Sequence, residues 1–338
     1  MMLDPLLDKR LIFVTGKGGV GKSTVTAGLA QALATAGQKT LVLETDTFSA
    51  MEDLFGYQST GLDPVAIHNY LDASNLSSEE CFVATLQRFV PSERVARAVI
   101  KNRFARVFFK AAPSVNEVTI LDQVRVFFEK NNSDGTPFYE NIIVDLPASG
   151  HAVSFLNVPS TMHDMMRGIG PIAKMNAQVD ALIRDPATTA IVAVCLPEEM
   201  PVNETIELSA NLTEALSRPL TLAIANMVHQ EPIPSADREV FARIHERIRS
   251  EHPGIETLFF DDEEHRSEST AIARLIEGNA LAIGWHDRDR SYLQLLHDRL
   301  DAPIIEVPIF YESCGADVVD RLGRYFHLDS SAEHQPSL

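Results

Sequence analysis

The sequence predicts an α/β protein with a doubly wound, mostly parallel sheet, and three features of its 338 residues lead to this prediction. A glycine-rich loop joins a short apolar stretch, "RLIFVTG" at 10–16, to an Ala- and Leu-rich stretch without a helix breaker at 22–36. A second apolar stretch, "KTLVLET" at 39–45, follows that predicted helix. Later apolar stretches lack the alternation of a half-exposed strand, which is typical of parallel strands buried on both faces.

The order of strand, loop, helix and strand predicts two parallel strands joined by a right-handed crossover. Gly37 is expected to end the first helix, because glycine suits the conformation found just past helix ends. The later predicted strands are 141–147, 190–197, 221–228 and 303–309. We expect one domain over 1–328, with a helical segment at about 79–130 and a flexible tail at 329–338.

Composition and charge exclude several classes of protein. The formal net charge of −18 argues against nucleic acid as a partner, because phosphate contacts need a basic surface. The chain has no run of about 18 apolar residues and no signal-peptide pattern, so no integral membrane segment is expected. The few, widely spaced cysteines Cys81, Cys195 and Cys314 argue against a disulfide framework or a tetrathiolate metal site. A cytoplasmic protein is the simplest interpretation.

The strongest functional signal is "GKGGVGKS" at 16–23, which matches the phosphate-binding pattern G-x-x-x-x-G-K-[ST]. Its glycines let backbone N–H groups turn toward phosphate oxygens, and the following helix adds its positive N-terminal end. Lys22 is predicted to reach the β- and γ-phosphates, and Ser23 to ligate Mg²⁺. The predicted nucleotide-binding residues of this loop are Gly16, Lys17, Gly18, Gly19, Val20, Gly21, Lys22, Ser23 and Thr24.

A second lysine, Lys17, gives "KGGVGKS" a resemblance to the deviant phosphate loop of the MinD/ParA/NifH/ArsA ATPases. The resemblance implies a P-loop NTPase fold of the SIMIBI class, ATP and Mg²⁺ as ligands, and a dimer with MgATP at its interface. It also implies a catalytic role for Lys17, which would cross the interface and stabilise charge on the partner's nucleotide as an arginine finger does. From the residues alone, a solvent-facing lysine is the alternative.

The stretch "ETDTFSAMEDLFG" at 44–56 resembles the switch I segment of ArsA-like and tail-anchored-protein targeting ATPases. Asp46 matches the carboxylate that positions the attacking water, and we place it among the catalytic and Mg²⁺-site residues on this resemblance. Residues 47–50, Thr-Phe-Ser-Ala, replace the usual Pro-Ala-(His/Ser)-Asn, so the segment departs from the family pattern. A carboxylate that caps a turn at the strand end is the alternative role for Asp46.

The stretch "VDLPASGHAVSFLNVP" at 144–159 resembles switch II of the same ATPases. Asp145 ends a predicted buried strand and is expected to hold Mg²⁺ through water. Gly150 provides a loop that could swing when the γ-phosphate is lost. His151 is interpreted as a surface residue, with a relay role as the alternative.

Four further residues match family positions that contact the nucleoside. Glu198 matches a glutamate that contacts the ribose across the dimer interface, and Asn226 matches the asparagine that reads the adenine. Pro308 and Phe310 fall in a stretch that resembles the loop covering the base. The matches run in family order from residue 10 to about residue 326.

The resemblance implies a homodimer or a heterodimer with a related ATPase, because the chain has one phosphate loop. The chain departs from the eukaryotic targeting factors, since it has no C-x-x-C, and Cys195 is expected in the core. Met162, Met165, Met166 and Met175 are interpreted as core or, alternatively, as an adaptable client surface. The basic segment 92–110 is interpreted as a solvated helix face or, alternatively, as a contact for an acidic partner or anionic lipid.

The sequence therefore predicts a slow, nucleotide-driven switch ATPase that handles a protein client such as a membrane protein. A partitioning or positioning ATPase of the MinD/ParA kind and the ATPase subunit of an anion pump are the alternatives.

Overall fold

The computed structural model describes residues 3–45, 49–58, 61–89, 113–165, 167, 169–251, 268–311 and 315–327. The predicted catalytic residue Asp46, the basic segment 92–110 and the predicted tail 329–338 lie outside these residues. Within them, eight strands form one sheet in the order β3-β4-β2-β5-β1-β6-β7-β8. The strands are β1 Leu11–Gly16, β2 Thr40–Glu44, β3 Val65–His68, β4 Leu71–Asn75, β5 Asn141–Asp145, β6 Thr189–Cys195, β7 Leu222–Val228 and β8 Ile304–Pro308.

All neighbouring strands are parallel except β3 and β4, which confirms the predicted α/β class with a mostly parallel sheet. The helices of the described residues are α1 Lys22–Thr35, α2 Ala50–Phe55, α3 Ser78–Phe89, α4 Pro113–Phe128, α5 Ser149–Met165, α6 Pro171–Arg184, α7 Glu199–Leu216, α8 Arg238–Glu251, α9 Glu268–Arg299 and α10 Ala316–His327. None of these helices combines the length and the apolar composition that a membrane span requires.

The sheet separates two hydrophobic clusters, as a doubly wound fold requires. Leu11 and Phe13 of β1 belong to the cluster that includes side chains of α4 to α7, whereas Ile12 and Val14 belong to the cluster that includes α1 and α10. Successive strand residues point to opposite faces, so both faces of β1 need apolar side chains. Every residue of β1, β2, β5 and β6 is buried, which explains why their sequences lack alternation.

The six strands that the sequence predicts correspond to β1, β2, β5, β6, β7 and β8. Strands β3 and β4 were not predicted from the sequence. The β4 sequence "LDASN" contains Asp, Ser and Asn, which are depleted in strands or favour turns. Tertiary contacts supply what local preference lacks, because buried Asp72 accepts hydrogen bonds from Lys39 Nζ at 2.6 Å and Tyr139 Oη at 3.0 Å.

Glycines with left-handed backbone flank helix α1. Gly21 precedes the helix with φ of +81°, and Gly37 follows it with φ of +83°, as the sequence analysis expected for Gly37. Between them α1 packs against α10 at close range. A Cβ atom on Gly28 would lie 2.5 Å from Leu322 Cβ, so a side chain at residue 28 would separate the two helices.

The parallel order brings the loops that follow β1, β2, β5 and β6 to one edge of the sheet. β1 lies between β5 and β6, with Val14 opposite Asp145 and Gly16 opposite Val194. β2 lies on the other side of β5, with Glu44 opposite Asp145. Since ligands of open α/β sheets bind outside the carboxyl ends of the strands, this edge is where the site is expected.

We predict that Gly28→Ala lowers the free energy of unfolding by about 1–3 kcal/mol, because Leu322 and its helix must shift to admit the new methyl group. Urea unfolding followed by circular dichroism measures the change. Gly284→Ala is the matched control on α9, where the added methyl group meets no atom within 4 Å. That variant should be unchanged or more stable by about 0.5–1 kcal/mol. Equal stability of the two variants would contradict the close packing of α1 on α10.

Candidate functional site

The glycine-rich loop is shaped by two close approaches of backbone to its neighbours. A Cβ atom on Gly16 would lie 2.2 Å from the carbonyl oxygen of Val194, and one on Gly21 would lie 2.5 Å from Asn226 Nδ2. Only glycine fits these two positions. At Gly18 and Gly19 a Cβ atom would meet nothing within 4 Å, so the middle of the loop borders open space.

The first turn of α1 is available to an anion. The preceding residue, Gly21, offers no side-chain cap, so the first N–H groups of the helix have no capping partner from it. The helix also contains no acidic residue in its first turn that would compete with a bound anion. A loop lined by backbone N–H groups that leads into an uncapped helix N-terminus is a favourable place for phosphate.

Three predicted site residues meet at the start of α1 and the end of β5. Lys22 Nζ donates a hydrogen bond to Asp145 Oδ1 at 2.8 Å, and Ser23 Oγ donates to Asp145 Oδ2 at 2.5 Å. Asp145 is 6% exposed, so its charge is largely shielded from water. A lysine, a hydroxyl and a carboxylate in contact form the donor and acceptor set that the sequence predicted for phosphate and Mg²⁺.

The residues present fit a magnesium ion. Mg²⁺ prefers hard oxygen ligands, and Ser23 Oγ and the Asp145 carboxylate place such oxygens within hydrogen-bond distance of each other. Mg²⁺ usually keeps several waters and is bound by few protein ligands. The two oxygen-bearing side chains beside the phosphate loop therefore suit a site of this kind.

The segment that resembles switch I is anchored at both ends of its undescribed part. Thr45 Oγ1 donates to the carbonyl oxygen of Asp145 at 2.8 Å, which ties the residue before Asp46 to the end of β5. On the far side, Ser49 caps α2 by accepting a hydrogen bond from the Glu52 N–H. Asp46 itself lies outside the described residues, between these two anchors.

Glu44, which the sequence analysis did not single out, braces the same segment. Its side chain accepts hydrogen bonds from Ser49 Oγ and from the Met51 N–H, the latter at 3.1 Å. The residue is 2% exposed. Burial raises the pKa of Glu44, the hydrogen bonds from Ser49 and Met51 lower it, and the nearby charge of Asp145 raises it again. An acidic residue at the end of an apolar strand is the sequence signal from which Glu44 could have been predicted.

Lys17 forms an ion pair within its own chain. Its Nζ donates to Glu204 Oε1 at 2.6 Å, across 187 residues of sequence. Glu204 lies on α7 and also accepts a hydrogen bond from Ser149 Oγ at 3.4 Å, where Ser149 begins α5. Lys17 and Glu204 side chains are 30% and 34% exposed. Sequence reasoning missed Glu204, since nothing in the local pattern of α7 marks one glutamate over its neighbours.

The four residues assigned to the nucleoside have different surroundings. Asn226 is buried, and its Nδ2 donates to the carbonyl oxygen of Val20 at 3.0 Å, which links the end of β7 to the phosphate loop. Glu198 is exposed just before α7. Pro308 ends β8 beside Val228, and the Phe310 ring packs edge-on against Tyr325 of α10, with 6.4 Å between ring centroids. The structure thus brings Asn226 to the loop and places the other three at the same end of the sheet.

The backbone of Met227 adds a local constraint beside Asn226. Met227 has φ of +57°, a conformation that residues other than glycine seldom adopt. Its side chain is 42% exposed and reaches the glycine loop, since its Cε would lie 3.7 Å from a Cβ atom on Gly21. The register between β7 and β8 shifts between Ala225 and Val228, so Asn226 and Met227 lie at an irregularity of the strand.

The two described cysteines are unsuited to binding a soft ligand. Cys195 is fully buried in β6, as the sequence analysis expected, and burial raises the pKa of its thiol to about 12. Burial likewise raises the pKa of the Cys81 thiol to about 12. Thiolate is the reactive and metal-binding form, so both residues act as small core side chains.

Two open spaces adjoin the site. A groove of about 750 Å³ runs between α5 and α7 and is lined by residues that include Ser149, Gly150 and Glu204. A smaller cavity of about 410 Å³ is lined by residues that include Thr45, Pro147 and His151. His151 is exposed, as expected from the sequence. Both segments that resemble switches therefore border unfilled space.

Comparisons with known proteins identify a family that the chain resembles in sequence. The sequence profile of the anion-transporting ATPase family matches residues 9–179. The chain is 30% identical to ATPase BagA of Mycobacterium tuberculosis over 231 residues, which are 66% of this chain and 67% of the relative. It is 25% identical over 244 residues to ATPase ASNA1 homolog 2 of Paramecium tetraurelia, covering 60% of this chain and 71% of that one. It is 25% identical over 247 residues to ATPase GET3 of Malassezia globosa, covering 63% and 72%.

We predict that Glu44→Gln changes how stability depends on pH. Because the folded pKa is raised above the unfolded value, the folded state holds this proton more tightly. Glu44 therefore favours folding below its unfolded pKa and loses that contribution as pH rises through the folded pKa. Urea unfolding across mildly acidic to neutral pH should show a fall in the free energy of unfolding that the variant lacks.

Asp185 provides the control of opposite sign for this measurement. Hydrogen bonds from the Ala187 N–H and the Thr188 hydroxyl lower the pKa of Asp185. Its contribution is present above the unfolded pKa and is lost as pH falls through the folded pKa. In the wild type, Asp185 should therefore contribute a fall in the free energy of unfolding as pH decreases. Asp185→Asn should lack that fall. The prediction for Glu44 is wrong if its variant and the wild type have parallel pH profiles.

Proposed function

The chain belongs to the family of anion-transporting ATPases and is an ATPase, and from this premise we propose that it works as a dimeric, nucleotide-driven switch that handles a protein client. The observation that carries the nucleotide part of the proposal is the contact of Lys22, Ser23 and Asp145 beside an open glycine loop. The proposal of a protein client is supported by helix α5, which leads from that site to an exposed apolar surface.

In the proposed mechanism the loop N–H groups and Lys22 bind the phosphates of ATP. Ser23 and Asp145 would hold a magnesium ion, which would neutralise phosphate charge when bound. Lys22 and Ser23 both contact Asp145, so this carboxylate holds a cation and a hydroxyl together at the phosphate end of the site. Because these groups are already in place, little free energy is needed to reorganise them when the substrate binds.

Asp46 is the proposed residue that orients the attacking water. The support is its position one residue after Thr45, which is hydrogen-bonded to the end of β5 beside the Asp145 carboxylate. Lys17 is proposed to stabilise charge on the partner subunit's phosphates. Turnover by such a switch is expected to be slow, since its output is a change of conformation rather than a metabolite.

Recognition of the nucleoside is assigned to residues at the ends of β6, β7 and β8. Asn226 is proposed to read the adenine, because an amide offers one donor side and one acceptor side to a purine edge. Glu198 is proposed to contact the ribose across the dimer interface, and its exposure leaves it free to do so. Pro308 and Phe310 are proposed to cover the base.

Helix α5 supports the proposal of a protein client. It begins at Ser149, which contacts Glu204 beside Lys17, and it ends at Met165, so the helix is 17 residues long. Around that far end the side chains of Met165, Ile169 and Ile172 are 74%, 75% and 42% exposed. A helix of this length spans about 25 Å, so it can couple the nucleotide site to a distant apolar surface. Such a surface suits an apolar client segment.

We also propose a homodimer or a heterodimer with a related ATPase, and a membrane protein as the client. These partners are what the resemblance of the phosphate loop and the switch segments to tail-anchored-protein targeting ATPases implies. The cytoplasm is the proposed place of action, because it supplies ATP and keeps thiols such as Cys81 and Cys195 reduced.

We predict that Asp46→Asn retains ATP binding but lowers the rate of hydrolysis by about 100-fold or more, because the amide cannot take up a proton from water. Lys22→Ala should weaken ATP binding by about 10- to 100-fold, the value of a charged hydrogen bond. Steady-state phosphate release and titration with a fluorescent ATP analogue measure the two effects separately.

Asp53→Asn is the matched control for Asp46→Asn. Asp53 is exposed on α2, seven residues further along, and the substitution removes the same charge. It should hydrolyse ATP at the wild-type rate. If Asp46→Asn also does so, the assignment of Asp46 is wrong and another carboxylate must orient the water.

We predict that the Asp46→Asn variant, held in the ATP state, retains client proteins when it is purified with MgATP from the cells in which the protein naturally occurs. Mass spectrometry should find proteins with transmembrane segments, and these should be depleted with Lys22→Ala, which is expected to bind ATP about 10- to 100-fold more weakly. A second ATPase of the family among them would identify a heterodimer. The same proteins with both variants would contradict a nucleotide-dependent client.

A further inference from the structure

Lys17 is held within its own chain by a carboxylate that also contacts a second functional segment. Glu204 uses its two oxygens on different partners, with Oε1 2.6 Å from Lys17 Nζ and Oε2 3.4 Å from Ser149 Oγ. Lys17 belongs to the phosphate loop, and Ser149 begins the helix of the segment that resembles switch II. One side chain of α7 therefore joins the loop to α5.

We propose that Glu204 is a positioning residue for Lys17, which holds the ammonium group in its own subunit until ATP draws two subunits together. This inference rests on the proposed function, in which Lys17 acts on the partner's nucleotide. One ammonium group cannot pair with Glu204 and cross the interface at the same time. Glu204 and the partner's phosphates therefore compete for Lys17, and dimerisation must break the pair.

The surroundings of the pair make this exchange feasible. Lys17 and Glu204 are 30% and 34% exposed, and Glu204 lines the open groove of about 750 Å³ between α5 and α7. Ion pairs with this access to water are weak, because solvent screens the charges and the long side chains lose freedom. Phosphate groups, with more charge, can outcompete a single carboxylate. Lysine suits such a transfer, since its charge sits on a flexible stem.

The second lysine of the loop has a different environment. The side chains of Lys22 and Asp145 are 16% and 7% exposed, and Asp145 lies beside the phosphate-binding loop that contains Lys22. In the proposed function Lys17 must leave its partner on α7 altogether to reach the partner subunit, so breaking the Lys17–Glu204 pair contributes to the cost of the active arrangement.

The contact with Ser149 gives the release of Lys17 a second effect. When the ammonium leaves, Glu204 keeps Ser149 as its remaining partner among the contacts described above. The balance of charge around the start of α5 then changes at the moment the dimer forms. Glu204 thereby links the position of Lys17 to the helix that carries the exposed apolar surface at its other end.

The test uses full-length Glu204→Gln, Lys17→Ala and the double variant, with Glu207→Gln as the matched control. Glu207 lines the same groove one turn along α7, and its substitution removes the same charge. Sedimentation with a non-hydrolysable ATP analogue and Mg²⁺ gives the dimer dissociation constant. Hydrolysis measured over a range of protein concentrations gives the half-saturating concentration and the maximal rate.

Glu204→Gln should lower the dimer dissociation constant by about 2- to 5-fold for each Lys17–Glu204 pair that no longer has to be broken. A symmetric dimer has two such pairs, so the total decrease should be about 4- to 25-fold. The maximal rate at saturating protein should match the wild type, because Glu204 stabilises only the unassembled state. Glu207→Gln should leave both values unchanged. In the Lys17→Ala background, Glu204→Gln should have no effect, since its partner is gone.

The inference is overturned if Glu204→Gln dimerises like the wild type, if it loosens the dimer, or if its effect persists without Lys17. Lys17→Ala separates this failure from failure of the proposed function. If the wild type dimerises with nucleotide and Lys17→Ala does not, the proposed function stands whatever Glu204 does. If the wild type stays monomeric and Lys17→Ala hydrolyses ATP normally, both proposals are wrong.

Discussion

The contact of Asp145 with Lys22 and Ser23 is the interaction on which the rest of the site depends. It joins the end of β5 to the start of α1, and it exists because β1 and β5 are parallel neighbours that end at the same edge of the sheet. The backbone of the same residue accepts a hydrogen bond from Thr45, so the end of β2 is fixed there as well. A single carboxylate-bearing position thus brings the phosphate loop and both segments that resemble switches into contact.

The two lysines of the loop show how the same side chain is given different tasks by its surroundings. Both pair with carboxylates of their own chain, but Lys22 does so in a largely buried place and Lys17 at the edge of an open groove. A buried pair holds its geometry because water competes poorly for either charge. A half-exposed pair can exchange partners. This contrast suits one lysine that stays with its own nucleotide and one that leaves it.

Most strands of the sheet could be predicted because their apolar composition indicates strands that are buried on both faces. Strands such as β1 and β6 are buried on both faces, so their sequences must be apolar throughout. β4 could not be found in this way, since Asp72 and Ser74 are tolerated only through contacts with Lys39, Tyr139 and the chain at 61–62. Those partners are distant in sequence, and local preference carries no information about them.

The sequence by itself determined the phosphate loop, the residues Lys22, Ser23 and Asp145, and the family to which they point. These signals are local: a glycine pattern is required where backbone approaches backbone, and an acid after an apolar strand must lie at the edge of the sheet. Only the tertiary structure decided which charges meet. Glu204 reaches Lys17 across 187 residues, and Glu44 accepts hydrogen bonds from Ser49 and Met51 at the start of α2. Such pairings depend on how strands and helices are placed side by side, which no local pattern specifies.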